Sequence, residues 1–334
     1  MVSCYEYIWV DGYGNLRSKT KTLVDTAEDV SNLPEWNYDG SSTNQAQGSD
    51  SEIILKPVRM CQDPFRYGKH RLVLCETYLP TGEPTPSNTR HAASAIFEKY
   101  RDEKSRFGIE QEFFISKFGK VVGFDNAGYF PAPQKDYYCG VGGNSVFGRK
   151  NVEEAFQNCL TSGLNLTGLN AEVAPSQWEF QVCAEGIDAA DQLLLLRYIT
   201  QRTLEMDGLD MDISPKPVKG DWNGSGCHVN FSTEKMREPG GIINIMEGIN
   251  NLGKKHTLCV ENYGTGNEER LTGAHETSSY HKFSYGVADR GSSVRIPRST
   301  DKNKCGYFED RRPSSNMDPY VVTSLILSCS MGDE

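Results

Sequence analysis

Acidic side chains occur in this sequence at positions where a folded protein does not normally bury them. Glu110 and Glu112 lie two residues apart inside the apolar segment Phe107-Gly-Ile-Glu-Gln-Glu-Phe-Phe-Ile. On a β-strand, residues two apart point to the same face, so both carboxylates would lie on one face beside a buried layer. Unpaired carboxylates are costly to bury, and a second like charge raises that cost. Because a divalent cation would remove the conflict, this segment predicts part of a metal site.

Further acidic residues and one histidine recur in other segments with the pattern of strands. Carboxylate oxygens around a single imidazole suit Mg²⁺ or Mn²⁺, whereas structural zinc is held mainly by thiolates and imidazoles. Six such ligands exceed what one magnesium ion usually takes from a protein, so we expect two or more ions per site. The alternative is that these glutamates are surface charges at strand ends. The candidate metal ligands are Glu110, Glu112, Glu172, Glu179, His228 and Glu309.

A glycine-rich segment leads into the candidate ligand His228. It reads Lys216-Pro-Val-Lys-Gly-Asp-Trp-Asn-Gly-Ser-Gly-Cys-His-Val-Asn-Phe-Ser. Glycine allows the backbone to approach a ligand closely. His228 and Asn230 would share one strand face, so a metal ligand and an amide would reach the same cavity. A glycine-rich hairpin is also a common turn without any ligand, and this alternative stays open.

Basic residues crowd into the last quarter of the sequence. The guanidinium group matches carboxylate and phosphate oxygens in bidentate geometry. Beside a divalent metal, such groups indicate an anionic substrate whose phosphoryl group is transferred. The alternative is a set of solvated surface arginines, and it applies most to Arg298 and Arg312. The arginines in question are Arg270, Arg290, Arg295, Arg298, Arg311 and Arg312.

Composition excludes several classes of function. The net charge is −10, with no basic stripe, so we expect no nucleic-acid partner. The longest aliphatic run, at residues 193–196, is broken by Arg197, so we expect no membrane partner. Ten cysteines without paired spacing favour reduced thiols. The first ten residues lack the basic start and apolar core of a signal peptide, which predicts a cytoplasmic protein.

The pattern along the chain predicts an α+β fold with two domains. A hairpin over residues 7–23 and strands over 53–58 and 72–78 precede a proline-rich segment at 79–87. The later segments mix short strands with helices and show no regular βαβ rhythm. We therefore predict a small β-rich domain, residues 1–82, and a large domain, residues 83–334. Helices are predicted over residues 91–104, 151–162, 187–207, 242–262 and 319–328.

Two acidic residues are weaker candidates from their local sequence alone. Asp39 precedes a glycine and could simply form an Asp-Gly turn, and Glu276 could simply lie in a polar loop. The residues by themselves thus predict a metal-dependent enzyme acting on phosphate and carboxylate groups. They do not identify its substrate.

Taken together, the motifs resemble glutamine synthetase of the eukaryotic type over nearly the whole chain. This resemblance implies a small N-terminal β-grasp-like domain and a large catalytic domain with an antiparallel sheet and flanking helices. The segments that carry it are Tyr38-Asp-Gly-Ser-Ser with Asp50-Ser-Glu, Gly108-Ile-Glu-Gln-Glu, Gln177-Trp-Glu, residues 216–232, Arg295-Ile-Pro-Arg and Tyr307-Phe-Glu-Asp-Arg-Arg-Pro.

The activity implied by the resemblance is glutamate–ammonia ligation in nitrogen assimilation. The side-chain carboxylate of L-glutamate would attack the γ-phosphate of ATP to give γ-glutamyl phosphate, and ammonia would displace phosphate to give L-glutamine. Two steps make chemical sense, because a carboxylate is a poor electrophile until its oxygen becomes a leaving group. The cofactors implied are two or more Mg²⁺ or Mn²⁺ ions, with ATP as co-substrate.

The resemblance also implies a role for each matched residue. Glu112, Glu172 and Glu179 would hold one ion, and Glu110, His228 and Glu309 the other. Asp39, Glu276 and Arg295 would be catalytic: the two acids bind ammonium and accept its proton, and Arg295 stabilises the transferring phosphoryl group. The substrate-binding residues would be Asn223, Gly224, Arg270, Arg290 and Arg311. The ATP-binding residues would be Asn230, Arg290, Arg295, Tyr307 and Phe308.

Family members form ring-type homo-oligomers with active sites between adjacent subunits, so Asp39 would act on its neighbour's site. Two alternatives remain to be weighed. A relative that ligates glutamate to another amine should lose the ammonium pocket, yet Asp39 and Glu276 are both present. A non-enzymatic descendant should lose metal ligands, and every matched ligand position is kept.

Overall fold

The computed structural model describes residues 2–24, 27–124 and 131–333. The chain divides into two compact units. The first contains Met1–Ala95 and Gln157–Leu164, and the second contains Ile96–Phe156 and Asn165–Glu334. The predicted domain boundary between residues 82 and 83 stays a prediction.

Short strands and helices alternate irregularly along the chain, which confirms the α+β class. Within the described residues, the strands are β1 (Ser3–Val10), β2 (Leu16–Leu23), β3 (Trp36–Asp39), β4 (Glu52–Gln62), β5 (Arg71–Tyr78), β6 (Arg106–Lys117), β7 (Lys120–Val121), β8 (Leu166–Ala171), β9 (Gln177–Glu185), β10 (Asp210–Asp212), β11 (Cys227–Ser232), β12 (Tyr285–Val287), β13 (Val294–Ile296) and β14 (Phe308–Asp310). The α-helices are α1 (Thr89–Lys99), α2 (Arg149–Thr161), α3 (Asp188–Glu205), α4 (Glu234–Arg237), α5 (Ile242–Lys254), α6 (His256–Asn262), α7 (Arg298–Asn303) and α8 (Pro319–Ser330). Short 3₁₀ helices cover Val30–Asn32, Gly40–Thr43, Arg101–Glu103 and Asn267–Glu269.

The first unit is built on a five-stranded sheet in the order β2-β1-β5-β4-β3. The predicted hairpin is present as β1 and β2, which pair antiparallel, while β1 and β5 pair parallel. Its turn is closed by the Asp11 carboxylate, which accepts hydrogen bonds from two backbone N–H groups, those of Tyr13 and Asn15. Alternate side chains of β1 form its core, including Tyr5, Tyr7 and Trp9.

The second unit is built on a nine-stranded sheet whose main path runs β12-β13-β14-β11-β6-β9-β8. Strands β7 and β10 pair with β6 outside that path. The pairs are antiparallel except β12 with β13. Strand β6 carries the predicted acidic pair and lies between β9 and β11. Glu110 and Glu112 therefore lie in the interior of the sheet and not at its edge.

The two faces of β6 have different chemistry. Phe107, Ile109 and Phe113 are fully buried on the face that α3 covers. Gln111 lies on this face too, and its carbonyl oxygen accepts a hydrogen bond from Nε of Arg197 at 2.7 Å. Its amide donates to Oγ of Ser315 at 2.7 Å. Glu110 and Glu112 therefore point to the opposite face, as the two-residue spacing predicts.

The predicted helix over residues 242–262 was wrong in one respect, because the structure contains two helices there. Lys255 leaves helical geometry with φ −102° and ψ 19°, and its N–H bonds to the carbonyls of Leu252 and Gly253. Apolar residues continue on both sides of this break, so hydrophobic periodicity does not reveal it. The predicted helix over 91–104 likewise ends at Lys99, and a 3₁₀ turn follows.

No helix in the described part of the chain combines the length and the apolar composition needed to cross a membrane.

Candidate active site

One face of the nine-stranded sheet carries polar side chains in three rows that run across the strands. Residues directly opposite on paired strands point to the same side, so strand register alone brings these groups together. The rows are Arg295, Glu309 and Asn230; His228, Glu110 and Gln181; and Glu112, Glu179 and Asn170.

Seven of these nine side chains, all except Glu309 and Asn230, line a cavity in the second unit with a volume of about 510 Å³. That is within the usual range for a small-molecule site. Its wall is predominantly polar and carries both signs of charge. The lining residues are Glu110, Glu112, Lys135, Tyr138, Asn170, Glu172, Val173, Glu179, Gln181, Asn223, Gly224, His228, Arg270, His275, Glu276, Thr277, Arg290, Arg295 and Arg311.

The six candidate metal ligands form two groups of three. One group is Glu112, Glu172 and Glu179, and the other is Glu110, His228 and Glu309. Within each group the candidate ligand atoms all lie within 4.8 Å of one another. The groups adjoin, because Nδ1 of His228 lies 3.4 Å from Glu110, 3.6 Å from Glu309 and 4.0 Å from Glu112. The sequence prediction that these residues converge therefore agrees with the geometry.

Burial and mutual repulsion hold protons on the first group. Burial raises the pKa of Glu112 to about 7. Burial and then the neighbouring Glu112 raise the pKa of Glu172 to about 8. Burial, followed by repulsion from the other acids, raises the pKa of Glu179 to about 9. A divalent cation would supply the positive charge that lets all three ionise near neutral pH.

Protein hydrogen bonds fix the direction of these carboxylates. Oε2 of Glu112 accepts from the backbone N–H of Gly226 at 2.7 Å. The Gln181 amide donates to Glu179 at 2.7 Å, and the Asn170 amide donates to Glu172 at 2.9 Å. Such bonds orient metal ligands before an ion binds.

His228 is suited to bind an ion through a neutral ring. Burial, and then the charge of Arg311, hold its pKa well below the usual value. A neutral imidazole keeps a nitrogen lone pair, which a metal ligand requires. Oxygen ligands with one imidazole and no thiolate fit Mg²⁺ or Mn²⁺.

Four arginines line the cavity, and three of them, Arg270, Arg295 and Arg311, are buried or half-buried, whereas Arg290 is exposed. Glu309 accepts a hydrogen bond from Nη1 of Arg311 at 2.6 Å and one from Nε of Arg295. Burial opposes the charge of Arg295, but Glu309 outweighs it, and the pKa of Arg295 is raised. Arg270 donates to the backbone carbonyls of residues 311, 312 and 313, and burial lowers its pKa to about 10. Arg270 and Arg295 therefore present fixed positive charge at neutral pH.

Residues 216–224, which we call the substrate loop, lead into β11. Glycines in this loop and just after it allow tight packing. A Cβ on Gly224 would lie 2.3 Å from the carbonyl oxygen of Pro215. A Cβ on Gly226 would lie 2.7 Å from Nε2 of His228. The sequence predicted that these glycines let the backbone approach a ligand. In the structure they also let it pack closely against other atoms of the protein.

Residues 272–277, which we call the flap segment, carry the candidate base Glu276. Its backbone is strained, because the adjacent residues His275 and Glu276 both have positive φ, 54° and 60°. The Glu276 carboxylate is about half exposed and lies 3.8 Å from Nζ of Lys135. Nη2 of Arg311 donates to the Glu276 carbonyl at 3.3 Å. Consecutive residues of this kind are often found at functional sites.

The remaining predicted residues lie apart from this cavity lining. Asp39 belongs to the first unit, where it ends β3 and caps the following 3₁₀ helix. Asn230 lies on the polar sheet face and donates to Glu110 at 2.8 Å. Tyr307 is partly exposed beside β14. The ring of Phe308 is fully buried against Phe231, so its side chain does not reach the surface.

The two arginines for which a surface role was the alternative differ from each other. Arg298 is exposed at the start of α7. Arg312 is fully buried and pairs with Asp310 at 2.6 Å, so it is not a solvated surface residue.

Sequence analysis missed several residues that line the cavity. Asn170 and Gln181 each lie two positions from a predicted ligand, so the same strand spacing could have identified them. Lys135 and Tyr138 lie in a segment without periodic pattern, and nothing in the sequence marks them. The missed lining residues are Lys135, Tyr138, Asn170, Val173, Gln181, His275 and Thr277.

Comparisons with known proteins agree with this geometry. The family model described as glutamine synthetase, catalytic domain, matches residues 87–332, and that described as glutamine synthetase, beta-Grasp domain, matches residues 1–80. A glutamine synthetase of Saccharomyces cerevisiae is 51% identical over 330 residues, covering 98% of this chain and 89% of that protein. A glutamine synthetase cytosolic isozyme of Daucus carota is 52% identical over 326 residues, covering 96% of this chain and 92% of that protein. The chain belongs to the glutamine synthetase family.

Proposed function

We propose that the cavity of the second unit is the active site for the reaction of this family. The chain is a glutamate–ammonia ligase, which uses ATP to form glutamine from glutamate and ammonia. One observation supports the location above all: two adjoining groups of metal-ligand side chains, five of whose six members line a single cavity, meet three buried or half-buried arginines there. That combination suits phosphoryl transfer onto a carboxylate.

The family uses divalent metal ions, and we propose Mg²⁺ or Mn²⁺ here, with at least two ions per site. Glu112, Glu172 and Glu179 would hold one, and Glu110, His228 and Glu309 the other. When bound, such ions draw negative charge from phosphate and carboxylate oxygens. The donor atoms fit, since they are hard oxygens with one neutral imidazole nitrogen.

The arginines would fix the anionic substrates. Arg270, whose guanidinium is tied to three backbone carbonyls, and Arg311 would hold the carboxylates of L-glutamate. Asn223 and Gly224 would contact the same substrate. Arg295 would donate to the γ-phosphoryl group as negative charge moves onto its leaving oxygen.

The reaction would then proceed in two balanced steps. A glutamate side-chain oxygen attacks the γ-phosphorus of ATP, the bond to ADP breaks, and γ-glutamyl phosphate forms. Ammonia attacks the acyl carbon, the carbon–oxygen bond to phosphate breaks, and glutamine and phosphate leave. Asp39 and Glu276 would attract ammonium and accept the proton that it loses. For the ATP itself, Asn230, Arg290, Tyr307 and the backbone of Phe308 would form the binding site.

We further propose a ring-type homo-oligomer in the cytoplasm, with Asp39 of one subunit completing the site of its neighbour. The carrot relative is named a cytosolic isozyme, which supports that compartment. Asp39 is exposed in the first unit, and its carboxylate accepts hydrogen bonds from Ser41 and Ser42 that lower its pKa to about 2. A permanent anion at an exposed position suits an ammonium pocket.

The function is tested by removing one proposed ligand. We expect Glu179→Ala to reduce γ-glutamyl hydroxamate formation from glutamate, ATP and hydroxylamine on the order of 10²-fold or more, since disturbing the residues that merely orient metal ligands already costs about 10- to 100-fold. Glu185→Ala is the matched control, because Glu185 lies on the same strand in an exposed pair with Arg106. The control should keep full activity.

Two results would contradict the proposal. Turnover of Glu179→Ala at the level of the control would remove the metal site from the mechanism. A preference of the unmodified protein for methylamine or ethylamine over ammonia would indicate ligation to another amine.

A further inference from the structure

The histidine that precedes Glu276 lies between two other segments of the cavity wall. Its Nε2 atom lies 3.0 Å from Oδ1 of Asp221, on the substrate loop. Its Nδ1 atom lies 2.9 Å from the Gln134 amide nitrogen. Gln134 in turn accepts a hydrogen bond from the backbone N–H of Asn223 at 2.9 Å. One imidazole thus links the flap segment to the loop that carries a proposed glutamate-binding residue.

The direction of each hydrogen bond follows from the Asn223 N–H. This group can only donate, so it fixes the Gln134 carbonyl oxygen toward Asn223 and the Gln134 NH₂ group toward His275. Nδ1 of His275 must then accept, which places the ring N–H on Nε2. Nε2–H points to the Asp221 carboxylate, which can only accept. Every donor in this chain of contacts therefore meets an acceptor.

The flap segment needs such contacts because its backbone is strained. Positive φ at His275 and at Glu276 is unfavourable, because neither residue has glycine's conformational freedom. Strain of this kind persists only where surrounding contacts hold it. The imidazole contributes two of them, and Nη2 of Arg311 contributes a third at the Glu276 carbonyl.

We infer that His275 is a positioning residue, whose ring ties the flap segment to the substrate loop and so holds Glu276 over the acyl phosphate until ammonia arrives. This inference rests on the proposed function. It adds a tie through Gln134 and Asp221, two residues that carry no proposed contact with substrate.

The tie has a chemical consequence. When the flap segment moves away, water reaches γ-glutamyl phosphate in place of ammonia. Water attacks the acyl carbon, the carbon–oxygen bond to phosphate breaks, and glutamate and phosphate result, with the water proton passing to solvent. ATP is then consumed without formation of glutamine. The ratio of phosphate released to glutamine formed therefore reports whether the flap segment is held.

The test measures this ratio with saturating glutamate, ammonia, ATP and Mg²⁺. We expect a ratio of about one for the unmodified protein, because a closed site excludes water, and a several-fold higher ratio for His275→Ala and Asp221→Ala. Asp221→Asn keeps the acceptor oxygen and should restore the ratio. His281→Ala is the matched control, since His281 is exposed six positions further on and its ring packs edge-on against that of Tyr280. A variant that is merely less stable would have fewer active molecules but the same ratio.

Hydrogen–deuterium exchange gives a readout that needs no turnover. We expect backbone amides of residues 272–277 to exchange faster in His275→Ala than in the unmodified full-length protein, and at the unmodified rate in His281→Ala. An unchanged phosphate-to-glutamine ratio in His275→Ala would overturn the inference, whatever the exchange rates. Failure of the unmodified protein to form glutamine would instead contradict the proposed function.

Discussion

At the scale of single residues, the two groups of proposed metal ligands are prepared differently. Glu309 already has two arginine partners, Arg295 and Arg311. Glu172 and Glu179 receive amide hydrogen bonds from Asn170 and Gln181, which orient a carboxylate but bring no full positive charge. The group that contains Glu172 and Glu179 therefore depends more strongly on an ion for its charge balance.

This difference predicts how stability changes with pH. Glu112, Glu172 and Glu179 have pKa values of about 7, 8 and 9, against 4.5 as their usual value. Between pH 4.5 and 9 the folded chain holds more protons on these groups than the unfolded chain, so their effect on the free energy of unfolding becomes less favourable as pH rises. We therefore expect metal-free Glu179→Gln to melt at a higher temperature than the unmodified protein at pH 8.5. This advantage should be larger at pH 8.5 than at pH 5 by on the order of 2–4 °C.

The measurement is thermal unfolding of both proteins across that pH range, with and without Mn²⁺. Excess Mn²⁺ should stabilise the unmodified protein most at high pH, because ionised carboxylates bind it best. An equal difference in melting temperature between the two proteins at every pH would show that Glu179 does not carry a raised pKa.

At the scale of elements, the strands position the ligands and their partners through register. Strand β8 has a register irregularity between Leu166 and Gly168 against β9. A Cβ on Gly168 would lie 2.5 Å from Oε1 of Gln181, whose amide donates to Glu179. A glycine outside the cavity lining thus leaves room for the amide that orients a proposed ligand.

Gly168→Ala should therefore weaken ion binding through Gln181. We expect about a tenfold loss of Mn²⁺ affinity, the lower end of the effect of disturbing groups that orient metal ligands. The melting temperature should change little, because the flexible end of Gln181 can move aside. Calorimetric titration with Mn²⁺ measures the loss. Gly143→Ala is the matched control, since no heavy atom lies within 4 Å of a Cβ there and φ is not positive; equal affinities of the two variants would contradict the expectation.

Strand alternation explains how much of this arrangement the sequence could predict. The rule placed Glu110 with Glu112 and His228 with Asn230, because each pair depends only on neighbours along one strand. The same alternation links Gln181 with Glu179 and Asn170 with Glu172, but it could not show that Gln181 and Asn170 also oppose Glu110 and Glu179 on paired strands. The sequence did not predict that α5 ends at Lys254, because contacts distant in sequence accompany this end. His256, two residues later, is hydrogen-bonded to the carbonyl of Tyr280.

At the scale of the whole molecule, the two units carry unequal parts of the proposed chemistry. The second contains the cavity and its ligands, and the first contributes Asp39. If Asp39 acts on the site of a neighbouring subunit, each site draws on two chains. Assembly then becomes a condition of activity.

Complementation tests this dependence. Asp39→Ala and Glu179→Ala should each be inactive alone. Mixed oligomers, formed by coexpression in equal amounts, should recover up to about a quarter of full activity, since one site in four pairs an intact Asp39 with an intact cavity under random closed-ring assembly. Glutamine formation by the purified mixture measures the recovery. No recovery in oligomers proven to contain both variants would place Asp39 and the cavity in the same chain's site.

The anchored Gln111 has a consequence for how the chain reaches this fold. It is fixed to Arg197 and Ser315 on one side of β6, while its two neighbours face the other side. A slip of β6 by a single residue would turn both glutamates into the apolar layer and expose phenylalanines to water. The hydrophobic effect thus makes the misaligned pairing of β6 less stable than the correct one during folding, before any ion is present. Residues 110–112 therefore set the register of the sheet and also supply two of its proposed metal ligands.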